Sequence, residues 1–260
     1  MMTYYVESGD SMAVIAPQRS RHRKFLARRL LSIILVIGII ISAVILAIQM
    51  KQEGGGLPNL SLPGMKEIPL DDVQEKLETL DWVEQDLLPV NDYSRPGTPL
   101  KKINAIVIHY VGNPGTTAAQ NRSYYSRLAD NHETSASSNF LIGMEGEILA
   151  CVPVNEVAYC SNWRNEDTIS IESCHPDASG KFTDDTYASL VKLTAWLCNE
   201  LGLNTSDIIR HYDVTGKECP KYFVDHEEAW ALFMADVRIA LDAPQASPAQ
   251  SHSSTPRFTS

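Results

Sequence analysis

A short apolar run that ends in a histidine, followed by a turn-rich loop closing on cysteine and proline, constrains this chain more than any other feature. The stretch is Ile208-Ile209-Arg210-His211-Tyr212-Asp213-Val214-Thr215-Gly216-Lys217-Glu218-Cys219-Pro220. Imidazole and thiolate are both good zinc ligands. Eight residues apart across a loop, they can converge on one point. A second apolar run, Ile106-Val107-Ile108, also ends in a histidine, His109. His109, His211 and Cys219 would supply three ligands and leave a fourth position for water, the pattern of a catalytic rather than a structural zinc. Histidines at strand ends are also often merely hydrogen-bonded. On spacing alone, a metal centre and a pair of structural histidines are both open.

The chain of 260 residues has room for one full domain with extensions. Residues 1–29 read as a basic cytoplasmic tail: Arg19, Arg21, Arg23, Lys24, Arg28 and Arg29 stand against Glu7 and Asp10. That segment is +4, so the rest carries −14 of a chain net charge of −10. An acidic globular part argues against nucleic acid as a partner, since phosphate binding needs a basic surface. Residues 30–48 (LLSIILVIGIIISAVILAI) hold no charge and are long enough for one transmembrane helix. Arg28 and Arg29 at its start predict a cytoplasmic N-terminus and an exported remainder, a single-pass protein of the cell membrane. A cleaved signal peptide is the rival. Its core would be shorter and followed by small residues, whereas Gln49, Met50 and Lys51 follow here. Residues 49–64 are Gly- and Pro-rich and read as a flexible linker.

In residues 65–100, helical spacing of Val73, Leu77, Leu80, Val83 and Leu87 predicts a helix over 71–88 ended by Pro89. It either packs on the main domain or leads to it as a stalk. The globular domain is expected over 101–242. Residues 103–108 read as a strand buried on both faces. Residues 117–130 read as a helix. Residues 139–143 and 147–152 read as a hairpin around Glu145-Gly146. In 167–173 the alternation sets Ile169 and Ile171 against Ser170 and Glu172. The stripe Tyr187, Leu190, Val191, Thr194, Leu197, Cys198 and Leu201 predicts a helix from a Thr183 cap to Gly202. Residues 208–211 predict a strand. Residues 225–241 predict a final helix, with Asp225 and Glu228 resembling a capping box. Alternating strands and helices imply an α/β domain, a mixed central β-sheet flanked by helices. Residues 243–260 are Pro/Ser/Gln/Thr-rich and read as disordered.

Four segments in order resemble the zinc-dependent N-acetylmuramoyl-L-alanine amidases, a family that includes phage lysozyme-type amidases and peptidoglycan recognition proteins. They are Ile106-Val107-Ile108-His109-Tyr110; Ser135-Ala136-Ser137-Ser138-Asn139-Phe140-Leu141-Ile142 with Gly146 after it; Thr168-Ile169-Ser170-Ile171-Glu172; and Arg210-His211-Tyr212-Asp213 followed by Cys219-Pro220. The resemblance runs from about residue 99 to 237. It implies a mixed sheet with Zn2+ in a cleft at the strand ends, held by His109, His211 and Cys219. It makes Glu172 the acid beside the attacking water and Lys217 a cation near the scissile carbonyl. The implied substrate is peptidoglycan on the outer face of the membrane, cut between N-acetylmuramic acid and L-alanine of the stem peptide. Asn139 stands where many members have a histidine, and Ser138 where some have a catalytic tyrosine. Both departures leave more of the chemistry to Glu172, with Asn139 still able to bond substrate.

Two other classes remain open. One is a binding module that holds peptidoglycan without cutting it. The other is a cysteine hydrolase using Cys174 with His175, or Cys219 with His211. Neighbours on a strand point to opposite faces, which makes Cys174 and His175 a poor pair. Arg210 and Asp213 either orient ligands or pair with each other. His132, His175 and His226 read as solvated. Tyr159 and Trp163 either line a groove or pack in the core. Five cysteines are too few for a dense disulfide framework, and Cys198 reads as core.

Overall fold

The computed structural model describes residues 68–243. The expected cytoplasmic tail (1–29), transmembrane span (30–48), linker (49–64) and the tail beyond 243 lie outside the described residues. Among the described residues, no helix is long and apolar enough to cross a membrane.

The elements are α1 (Leu70–Glu78), β1 (Glu84–Gln85), β2 (Ala105–Tyr110), α2 (Ala118–Asn131), β3 (Phe140–Ile142), β4 (Ile148–Ala150), β5 (Thr168–Ser173), α3 (Asp184–Leu201), β6 (Ile208–Arg210), α4 (His211–Thr215), α5 (Lys221–Asp225) and α6 (Glu227–Asp242). One sheet runs in the order β1-β4-β3-β5-β2-β6. Among the described strands, β3 and β4 alone pair antiparallel, as a hairpin. Its turn has Gly146 at φ +83°, a left-handed conformation that costs glycine no steric penalty. This is the mixed α/β sheet expected from the alternation of elements.

Period-2 alternation sorts the sheet's side chains. Ile106, Ile108, Ile169 and Ile171 enter the larger core with Phe140 and Ile142, where α3 and α6 bury Leu190, Leu193, Leu197, Cys198, Phe233 and Val237. A smaller core on Leu141, Leu149, Val111, Ala118 and Tyr125 includes residues of α2. Register pairs His109 with Glu172, and Glu172 with Leu141. His109 and Glu172 therefore stand side by side, on the face away from Ile108 and Ile171. Threonine caps start two helices. Thr117 forms a capping box with Gln120 on α2, and Thr183 Oγ1 accepts the Thr186 N–H on α3. Gly202 closes α3 at φ +65°.

Two helix expectations are corrected. The helix expected over 71–88 ends at Glu78. Thr79 turns the chain by returning its hydroxyl and its N–H to Lys76 O, and the following residues pair as β1 with β4. Val73 and Leu77 are buried from a helix, but Val83 is buried from the bend just ahead of β1. The helix expected over 225–241 is present as α6 but starts two residues later, after His226, whose φ −131° and ψ 82° are not helical. Asp225 closes α5 instead of capping, and no side chain caps α6. The segment before the domain packs on it. Gln74 Oε1 accepts the Val154 N–H at 2.9 Å, and Arg95 makes a bidentate pair with Glu156 at 2.8 Å.

Candidate metal centre

His109 ends the buried run of β2, and its place is fixed by strand pairing on both sides with β5 and β6. His211 is the first residue of α4, one step past β6, so the expected strand 208–211 ends a residue early. Cys219 is brought back by the loop after α4, where the Tyr212 N–H donates to Cys219 O at 2.9 Å and the Cys219 N–H to Lys217 O at 2.7 Å. The Cys219-Pro220 peptide is cis. All three side chains are buried, and one ligand atom from each lies within 4.8 Å of the other two. Cys219 Sγ is 3.8 Å from His109 Nδ1, and the imidazole centroids are 4.7 Å apart.

The electrostatics of this cluster suit a cation. Burial, then the charges of His211 and Lys217, hold His109 well below the usual imidazole range. Burial pushes His211 down to about 4, the Cys219 thiol up to about 12 and the Glu172 carboxyl up to about 8. With no cation the groups are neutral at pH 7: two imidazoles with free lone pairs, a thiol and a carboxylic acid. His211 Nδ1 and Glu172 Oε2 are buried without a hydrogen-bond partner. An orphaned buried acceptor is costly, and a divalent cation held by the two imidazoles and the thiol would satisfy His211 Nδ1. Two imidazoles and a thiol that ionises on metal binding form a donor set that fits zinc.

Glu172 lies beside this cluster. Its Oε1 is 3.6 Å from Cys160 Sγ. A second trio, His109, Cys160 and Glu172, also has ligand atoms within 4.8 Å of one another. It shares His109 with the first, so a single ion cannot complete both. Lys217 is exposed on the loop between His211 and Cys219. Its charge depresses the protonation of His109, His211 and Glu172. The cysteine-hydrolase reading has no activated thiol to use. Burial pushes Cys174 and Cys219 both up to about 12, the opposite of a nucleophile's shift. All five cysteines are free thiols.

Several side residues differ from expectation. Asn139 does not face a substrate. It is fully buried, takes the Ser170 N–H at 3.0 Å on Oδ1 and donates to Pro153 O at 3.1 Å, stapling β5 to the chain after β4. Ser138 is buried too and bonds Phe140 O. His175 is not solvated. It is 1% exposed, with its ring nitrogens each 2.7 Å from the Asp177 and Val111 carbonyls. His132 and His226 are exposed. Arg210 pairs with Asp213 at 3.1 Å and Glu227 at 2.7 Å, the plain alternative to orienting a ligand. Trp163 is 71% exposed and Tyr159 half-buried.

Two residues beside the cluster escape a reading by strand period. Ser161 Oγ is 3.3 Å from His109 Nε2, and Asn162 Oδ1 is 2.7 Å from His211 Nε2. Ser161 precedes and Asn162 opens a single 3-10 turn, Asn162–Arg164, ahead of β5, too short for a periodic pattern to mark a side chain's direction. Asn162 sits at φ +54°, a conformation that asparagine tolerates better than most residues, and that preference is the one local signal.

The domain so defined is a mixed sheet with a buried His-His-Cys cluster, drawn from a parallel strand, the helix after β6 and the loop beyond it, and a glutamate adjoining on β5. Residues 99–222 match the family described as N-acetylmuramoyl-L-alanine amidase, and the fold is that of these amidases. The chain is 32% identical over 167 residues to the amidase CwlL of Bacillus licheniformis, covering 60% of this chain and 46% of that protein. It is 32% identical over 183 residues to the amidase BlyA of Bacillus subtilis, covering 62% and 48%. It thus spans about half the length of these relatives. Against the catalytic domain of XlyA, the TM-score is 0.51 at 28% identity, over 60% of this chain and 98% of that one.

Proposed function

We propose that the domain is a zinc-dependent N-acetylmuramoyl-L-alanine amidase, hydrolysing the amide between the lactyl group of N-acetylmuramic acid and L-alanine in peptidoglycan. The observation that carries this reading is the convergence of His109, His211 and Cys219 beside Glu172, with His211 Nδ1 buried and unpartnered. Zinc, when bound there, polarises the amide carbonyl and makes water acidic enough to attack near neutral pH. Glu172 is the proton carrier. A cation beside its carboxyl favours the ionised form, which accepts the proton of the attacking water and returns it to the leaving amine nitrogen. Lys217 places a positive charge where the carbonyl oxygen turns anionic. The buried imidazoles are neutral at working pH and so are held ready as ligands. The products are the lactyl carboxylate and the free amine of the stem peptide.

A binding module would need the fold but not this set of groups. Retention of the three ligands together with Glu172 favours the enzyme. The test is metal content of the purified chain alongside mass analysis of muropeptides incubated with it. Stoichiometric zinc and release of intact stem peptide, abolished by a chelator and restored by zinc, are expected. Metal-free protein that cuts at full rate sinks the reading.

Residues 30–48 support a further placement: a single-pass membrane anchor with the N-terminus in the cytoplasm and the domain outside, facing the wall. The chain then pairs a fixed tether with a substrate lying beyond it. Intact mass of the membrane-extracted protein checks this. A mature chain beginning near residue 50 would remove the anchor.

A further inference from the structure

One short turn touches both histidines of the centre and the glutamate beside it. Ser161 Oγ meets His109 Nε2 at 3.3 Å, Asn162 Oδ1 meets His211 Nε2 at 2.7 Å, and Cys160 Sγ meets Glu172 Oε1 at 3.6 Å. The turn is itself held rigidly. Asn165 Oδ1 accepts the backbone N–H groups of Cys160 at 3.1 Å and Ser161 at 2.6 Å. Arg164 grips Asp167 through two bonds of 2.7 and 2.9 Å, and Thr168 Oγ1 donates to Arg164 O at 2.8 Å, which ties the turn to the start of β5. On its other side, the Trp163 indole N–H donates to Val214 O at 3.3 Å, which ties it to α4. Asn162 holds its side chain towards His211 from a left-handed backbone at φ +54°.

An amide oxygen carries no proton. A hydrogen bond between Asn162 Oδ1 and His211 Nε2 therefore requires the proton on Nε2, and Nδ1 keeps its lone pair. His211 Nδ1 is the buried atom that has no partner. His109 reaches the same tautomer by a different route, because a hydroxyl can donate or accept: a neutral Cys219 thiol finds a lone pair on Nδ1 only when the ring proton is on Nε2. Its Nε2 faces Ser161 Oγ, which can accept, and its Nδ1 faces Cys219 Sγ at 3.8 Å. Left alone, a neutral imidazole exchanges between two tautomers, and only one of them offers a lone pair in a given direction.

We propose that Ser161 and Asn162 are positioning residues that lock both histidines in the Nε2–H tautomer, so that the two Nδ1 atoms are preset as ligands before any metal arrives. The proposal rests on the zinc reading for its purpose, but the tautomers exist in the metal-free protein and are measured there. Outer-sphere partners of this kind typically change metal affinity by about 10–100-fold when removed.

The test uses the detergent-solubilised full chain with 15N-labelled histidine, freed of metal, at a pH where both imidazoles are neutral. The ring-nitrogen shifts of His109 and His211 are expected to report Nε2–H in both. Asn162→Gly keeps the left-handed backbone but removes the amide, and is expected to return His211 to a tautomer mixture and weaken zinc about 10–100-fold in competition with a chromogenic chelator. Ser161→Ala is expected to do the same through His109. Asn162→Asp, which retains an acceptor, is expected to restore parent affinity. A parent protein with Nδ1–H at either histidine overturns the proposal, even where a variant does not fold. So does Asn162→Gly with parent tautomer and parent affinity. A parent protein that takes up no zinc but shows both Nε2–H tautomers removes the zinc reading and leaves the positioning intact.

Discussion

Glu172 is set apart by its neighbours rather than by its own chemistry. Its strand partner in register is His109, its Oε2 is buried without a partner, and burial holds its carboxyl at about 8 when no cation is near. Replacing it by glutamine keeps the shape and removes the proton acceptor. Turnover on muropeptide is expected to fall about 10²–10⁴-fold with zinc content unchanged, read by product release beside metal analysis. Lys217→Ala is expected to lower kcat by about 10²-fold while KM moves little, the pattern for a group that acts on charge developing in the transition state. An unchanged kcat would return Lys217 to an ordinary surface lysine. Strand alternation made Glu172 legible, because Ile169 and Ile171 fix which way it must point. The resemblance misled at Asn139, which stands where many members of the family have a histidine and is expected to bond substrate, but spends its amide on Ser170 and Pro153. Nothing in a sequence says whether a polar side chain finds backbone groups or open space. His175 misled for the same reason, since its two carbonyl partners come from loops whose meeting no local pattern records.

Elements were legible where one pattern ran long enough to exclude others. The α3 stripe, capped by Thr183 and closed by Gly202, stands where its spacing placed it. The segment ahead of β2 shows the limit. Val73, Leu77, Leu80 and Val83 keep helical spacing, but the chain leaves the helix at Thr79 to pair β1 with β4, and tertiary pairing overrides a short periodicity. That segment is an integral layer of the domain although it precedes residue 99, where the family match begins. Leu77 and Leu88 are each fully buried. Leu77→Ala is expected to cost about 2–5 kcal/mol of stability, read from urea unfolding. A change below about 0.5 kcal/mol, the range of surface substitutions, would mean α1 is a detachable stalk. The turn before β5 was silent for the opposite reason to α1. It is too short for any period, and its role lies wholly in what Ser161 and Asn162 touch.

For the whole molecule, the centre links metal, pH and stability, and the sign of each link can be worked out. His211 is held at about 4 against an ordinary 6.5, so between those values the unfolded chain binds a proton that the folded one refuses. Metal-free stability therefore falls as pH drops from about 6.5 towards 4. Glu172 acts in reverse. The fold keeps its proton from 4.5 up to about 8 while the unfolded chain has released it, so metal-free stability also falls as pH rises across that window. Zinc binding runs against the second trend. Cys219 must lose its proton to become a ligand, so zinc uptake releases a proton and strengthens as pH rises. Bound zinc stabilises the fold by about 2.7 kcal/mol once free metal reaches 100 times Kd. The Tm difference between zinc-loaded and chelator-treated protein is accordingly expected to widen from pH 6 to pH 8, followed by scanning calorimetry at fixed metal concentration. Cys219→Ser should shrink that difference and flatten its dependence on pH, because a hydroxyl does not ionise readily at the metal. Glu172→Gln should remove the alkaline loss from the metal-free curve, and so lessen the widening of the Tm difference without abolishing it, because the Cys219 proton is still displaced. A Tm difference that stays constant across the range would mean that no thiol proton is displaced, and Cys219 would then be a buried neighbour of the two histidines rather than the third ligand.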